Sequence, residues 1–301
     1  MRLLKESVTT ALILLFCISN IYSQNPIYKT GEDLILRGRY QEALQDALTK
    51  INDPSIKGYD LGKIYLNLGR THQYLFRYDK AFTSLQKANS LFKEAGSLRG
   101  RIESHIWLLE YYRSTSNIYQ VRKLDVLCAS DLDSLKDNND LLALFYNRKG
   151  AYINQFYLDS IEQAANYIHK SIELATNTDS PYYTYIVGNA CLDIGLYYER
   201  KKDPLCFDYY RKSQRLWEEV GNMHYSTQSF LSLTQAHYVF GNYEEALKIA
   251  SKAFEIATKY ELSDVRSRCL YQNYMIYDAM GDYKKALDFL RSYHETNFFS
   301  L

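Results

Sequence analysis

Seven short segments of this chain repeat one pattern about every 40 residues. Each has an aromatic, two spacers, a small residue and, roughly a turn later, another apolar or small position. Tyr40–Ala43, Tyr78–Ala81, Tyr243–Ala246 and Tyr283–Ala286 carry the pattern in full. Tyr119–Arg122 and Ile161–Ala164 are weaker copies, and a degraded one ends at Cys206. The fourth positions fall at 43, 81, 122, 164, 206, 246 and 286, in steps of 38, 41, 42, 42, 40 and 40. Periods of roughly 20–50 residues signal stacked supersecondary units, each completing its neighbour's core. Arrays of this kind serve mainly as binding scaffolds, so an interaction protein is expected and an enzyme is not.

The periodicity runs from residue 24 to about 295, which predicts one elongated array rather than two domains; residues 296–301 read as an uncapped tail. With 47% hydrophobic residues, the 301-residue chain has ample material for a core. Its formal net charge is +1, and residues 1–23 hold Arg2, Lys5 and Glu6. Without them 34 basic residues balance 34 acidic ones. A neutral array has no bulk electrostatic drive toward nucleic acid or anionic lipid.

Residues 1–23 read as a signal peptide: a basic start, an apolar run from Val8 to Ile18, and Ser23 as a cleavage point. A spanning helix needs about 20 mostly apolar residues, and Ser19 and Asn20 interrupt this run too early. Export to the periplasm or medium is therefore expected, with membrane attachment only if the segment is retained. Four cysteines remain, Cys128, Cys191, Cys206 and Cys269, at spacings that match no metal site. They read as small buried hydrophobes, with a Cys191–Cys206 bridge as the alternative.

Within a copy the residues alternate as helical hairpins do. In Gly62–His72, large and small residues recur three and four apart, the mark of one buried helical face. Phe76-Arg77-Tyr78 interrupts, and a second amphipathic helix follows with Ala81, Leu85 and Ala88 on one side. Gly69 and Ala81 allow the two axes to approach closely. Asn242 and Asp282, just ahead of their tyrosines, are positioned to cap second helices.

These copies resemble the tetratricopeptide repeat, whose pattern W-x2-L-G-x2-Y is followed by A, F and A on the second helix. Leu68-Gly69 and Ile194-Gly195 match its leucine–glycine pair. The resemblance implies an all-α fold, an α-α superhelix (solenoid) of about seven such hairpins. The longer step implies extended helices or loops. Glu110 and Arg122 stand where small residues belong, so the third hairpin is expected to splay, and Asp159-Ser160 is an insertion in the fourth. Leu216–Asn222 and Ala286–His294 are similar to the exported repeat arrays of Gram-negative envelope sensor kinases and helix-turn-helix regulators. That likeness implies a sensory ectodomain as the alternative to a self-standing scaffold.

Motif searching adds no chemistry. The six histidines fall singly, and no zinc-protease, dithiol, dinucleotide, phosphate-loop or nucleophile-elbow string occurs. No cofactor or metal is expected, and the Tyr-Tyr pairs read as packing. In the resembled family the first helix of each hairpin lines a concave groove. Carried onto this chain, the implied lining is Lys63, Arg70, Gln73 and Tyr74, then Trp107 and Tyr111, then Asn147, Asn154 and Gln155. Gln235, Tyr238, Arg268 and Tyr271 follow. Amides can satisfy a peptide backbone and aromatics supply contact area, so the expected partner is a protein or peptide. Trp107 is the expected anchor, unless the irregular third copy buries it. The family's carboxylate clamp is not reproduced, since Trp107 and Tyr111 separate Lys63 from Asn147.

Overall fold

The structure, a computed structural model, describes residues 26–135, 138–177 and 182–298. The signal segment, Phe299 and Leu301 lie outside them. The described residues form seven antiparallel helical hairpins. They are α1 (Lys29–Leu36) with α2 (Tyr40–Ile51), α3 (Gly58–Tyr74) with α4 (Tyr78–Glu94), and α5 (Leu98–Ser114) with α6 (Ile118–Asp133). Next come α7 (Asn139–Phe156) with α8 (Ile161–Asn177), and α9 (Tyr183–Arg200) with α10 (Leu205–Glu219). The last two are α11 (Met223–Val239) with α12 (Tyr243–Lys259), and α13 (Ser263–Ala279) with α14 (Tyr283–Phe298). Each helix packs chiefly on its chain neighbours, and first helices also touch the first helix of the next hairpin. The result is an α-α superhelix. Its last helix reaches Phe298, three residues into the stretch read as a tail.

The turns explain the period. Six hairpin turns place a left-handed residue two positions ahead of the second helix or its capping residue: Gly38, Phe76, Ser116, Lys202, Gly241 and Gly281. Behind each, an amide reaches back five residues, as in Arg77 N to His72 O at 2.9 Å and Asn242 N to His237 O at 2.8 Å. This is the Schellman closure, which satisfies helix-end carbonyls and reverses the chain within three residues.

Close helix approach is set by glycines. A Cβ at Gly62 would lie 2.7 Å from the Phe92 ring, and one at Gly69 the same distance from Leu85. One at Gly188 would meet Trp217 at 2.6 Å, and one at Gly195 would meet Tyr210 at 2.4 Å. Two glycines seven residues apart thus receive two large side chains seven apart, in both the second and fifth hairpins. The second helices bury a single stripe, as Ala246, Ala250, Ala253 and Ala257 do on α12. First helices bury several faces because they are sandwiched between their partner and the next hairpin.

Two sequence expectations need correction. The third copy's inward residue is Val121, fully buried, while Arg122 is exposed and stacks on Tyr157. The cause is local: Asn117 Oδ1 accepts from Gln120 N at 3.2 Å and starts α6 one residue early. Asp282 caps α14, accepting from Lys285 N at 3.2 Å, but Asn242 makes no side-chain cap bond. The four cysteines are buried free thiols, as expected of small buried hydrophobes, and the alternative Cys191–Cys206 bridge is not formed. As expected, α5 packs on α6 less closely than α3 on α4, and the Asp159-Ser160 insertion forms a short 3-10 turn, Leu158–Ser160.

The superhelix returns beside its start after five hairpins. Asn222, between α10 and α11, donates to Leu36 O at 2.9 Å, and Arg37 reaches Val220 O at 3.4 Å. Gly38 sits so close that a Cβ there would be 2.9 Å from the Asn222 Oδ1. The rings of Tyr74 and Tyr225 meet edge-on at 6.3 Å across the same closure.

Candidate inner-face site

Closure fills the axis of the first five hairpins with side chains. Lys63 is buried and donates to Glu103 at 2.8 and 3.0 Å, with Glu32 at 2.8 Å on its other side. Burial opposes its charge, but the Glu103 and Glu32 carboxylates hold the ammonium well above its usual range. Across the axis the Tyr182 hydroxyl donates to Glu103. Arg70 lies over the Trp107 ring at 4.2 Å, and Trp107 meets Tyr185 at 5.3 Å. Trp107 is only 1% exposed. It belongs to the axial core and is not an open anchor.

A second charged cluster follows along the axis. Arg113 grips Glu110 with two bonds of 2.7 and 2.8 Å, and Arg148 adds a third contact at 3.0 Å. Burial would raise the Glu110 carboxyl, yet the two guanidinium groups hold it down at about 2. Thus Glu110, read as a misfit in the third repeat, turns to the axis and helps tie the third hairpin to the fourth.

The inner-face residues expected from the sequence therefore divide. Lys63, Arg70, Tyr74, Trp107 and Asn147 pack in the closed axis. Gln73 bonds Ser114 of the next hairpin at 3.2 Å. Tyr111 packs on Phe82, Tyr238 lies beside Tyr243, and Tyr271 is exposed against Tyr293. Asn154, Gln155, Gln235 and Arg268 line open space.

That open space is two adjoining cavities of about 300 and 340 Å³ on the inner face of the third to seventh hairpins. Leu192, Asp193 and Leu196 line both and join them. The first is rimmed by Arg113, Asn154, Gln155 and Arg200, the second by Glu199, Gln235, Arg268 and Gln272. Neighbouring first helices are cross-tied along the rim. Arg113 bonds Gln155 at 2.6 Å, Arg200 bonds Asn154 at 3.0 Å, and Gln272 donates to Leu231 O at 2.9 Å. Arg268 donates to Gln228. These ties fix the rotation between hairpins and so the shape of the groove. A larger hollow of about 710 Å³ opens at the turn edge around His237, Tyr243 and Met280; it lies away from the inner face.

Asp193 is the residue that the sequence reading missed. Burial pushes its carboxyl up to about 6, against the pull of Arg148 and Arg113. Helical spacing puts Asn189, Leu192, Asp193, Leu196 and Arg200 along one side of α9. Among the described residues no three His, Cys, Asp or Glu side chains gather as a metal-binding group, and no helix is long and apolar enough to cross a membrane.

No protein-family model matches the chain, and no curated protein matches it in sequence. Solved structures share its architecture. A Rap protein complexed with Competence and Sporulation Factor aligns with a TM-score of 0.67 and 12% identity, over 95% of this chain and 79% of that one. The fold is of the tetratricopeptide type. The apo form of RapI aligns at 0.57 with 12% identity, over 90% and 75% of the two chains. A signal-transduction ATPase with a tetratricopeptide repeat sensor, from Pyrococcus horikoshii, aligns at 0.59 with 16% identity. The alignment covers 84% of this chain but 36% of that ATPase.

Proposed function

We propose that this protein is a non-enzymatic scaffold that holds an extended segment of a partner protein or a peptide in the inner groove over α7, α9, α11 and α13. The observation that carries this reading is the pair of joined cavities whose rim mixes amides and arginines around Leu192 and Leu196. Such a lining offers hydrogen bonds to a backbone together with apolar contact, and its cross-tied rim is preorganised, which lowers the entropic cost of binding. Trp107 and Arg70 contribute by shaping the closed axis behind the groove. The Rap protein whose fold this chain shares was solved with a bound factor, which supports a binding role. The export expected from residues 1–23 would make the partner an envelope or extracellular one.

The test is a panel of short peptides, titrated against the wild type, Leu192→Arg and an outer-face control, Val126→Arg; Val126 is 71% exposed. Leu192→Arg is expected to weaken the best peptide at least about tenfold, with Val126→Arg indistinguishable from wild type. Equal affinity in all three proteins, with Leu192→Arg folded, would remove the groove as the site.

A further inference from the structure

We infer that Asp193 selects the ligand, by pairing with a cationic group of the bound peptide. The inference rests on the peptide-binding reading above and adds the chemistry that the groove recognises. Among the described residues the Asp193 carboxylate makes no hydrogen bond and no ion pair, although it is half-buried. Other acids buried on the inner face have partners. Glu103 has Lys63 and Tyr182, Glu110 has Arg113 and Arg148, and Glu199 accepts from Tyr210 at 2.9 Å. The two arginines whose charges act on Asp193, Arg148 and Arg113, are already paired with Glu110. A partly desolvated carboxylate with no donor from the protein carries a desolvation cost, and a charge-assisted bond from a ligand offsets it.

The opposite choice, an acidic ligand on Arg200 and Arg268, is weaker. Both guanidinium groups are exposed and already bond amides, and exposed ion pairs add little. Position favours the cation as well. Asp193 stands where the two cavities meet, with Leu192 and Leu196 beside it. Those leucines offer an apolar wall along which the methylene stem of a lysine or arginine can lie while its head reaches the carboxylate. An N-terminal ammonium presents the same charge without the stem.

The test uses a library of short randomised peptides in free-amine and N-acetylated forms, selected on the purified protein. Lysine or arginine should be enriched at one position in the acetylated pool; enrichment of a free amine alone assigns the terminal ammonium instead. Replacing the selected lysine with norleucine should weaken binding about tenfold to the wild type and leave binding to Asp193→Asn nearly unchanged. If peptides bind without a cationic preference, or norleucine weakens both proteins equally, the role of Asp193 is overturned while the groove stands. If no peptide binds at all, the groove reading falls and takes this inference with it.

Discussion

Asp193 is less favourable to the folded state than its neighbours because its charge is half-buried and unpaired. Its carboxyl sits near 6 rather than the ordinary 3.8, with burial as the larger cause and Arg148, Arg113 and Glu110 as the facing charges. The folded state therefore binds this proton more tightly than the unfolded chain does. Stability from this group falls as pH rises from about 4 to about 6, and the full cost is present above that window. Asp193→Asn is expected to stabilise the protein by about 1–2 kcal/mol at neutral pH, and by almost nothing near pH 4. Denaturant unfolding at the two pH values checks this. Glu110 behaves oppositely, since Arg113 and Arg148 depress it to about 2. Its stabilisation is present above its ordinary value and is lost as pH falls. Neither state was legible in the sequence. The arginines that face Asp193 lie about 45 and 80 positions away, and Glu110 adds Arg148 of the next hairpin to its near neighbour Arg113; Trp107 was ambiguous for the same reason.

At the scale of the helix pair, glycine and large side chains are matched across the fifth hairpin as in the second. Gly195→Ala would drive a methyl into the Tyr210 ring and should cost about 1–3 kcal/mol by overpacking. In a Tyr210→Leu background the same change should cost much less, because the obstructing ring is gone. A double-mutant cycle of unfolding free energies measures that coupling; additive costs would mean the two sites do not meet. This level was the most readable in the sequence. Leu68-Gly69 and Ile194-Gly195 announced the close approach, and the spaced tyrosines and alanines gave hairpin number and order. Periodicity alone sets the third copy one residue late, because Tyr119 matches the repeat's aromatic. Asn117 actually starts the helix, leaving Tyr119 72% exposed. A cap decides such a boundary by one hydrogen bond, which periodicity alone does not resolve.

For the whole molecule, the closure between the first hairpin and the α10–α11 turn decides which part of the inner face stays open. Pairing at separations such as that of Asn222 with Leu36 arises from the summed rotation of five hairpins, so no local pattern reveals it. Asn222 also accepts from Tyr225 N at 3.2 Å and caps α11. Asn222→Asp keeps the cap but cannot donate to Leu36 O. It should speed hydrogen exchange in α1 and α2 while leaving α11 protected; unchanged exchange in α1 and α2 would show that the closure does not depend on this bond. The central claim is that ligand lies in the open groove of the later hairpins and not along the filled axis or the outer surface. Photo-crosslinking of a selected peptide carrying a benzophenone side chain, mapped by mass spectrometry, tests it most directly. The account predicts crosslinks on α9, α11 and α13 around Leu192, Leu196 and Gln235. Crosslinks confined to the outer faces of α6, α8 or α12, or to Arg70 and Trp107 in the axis, would contradict it.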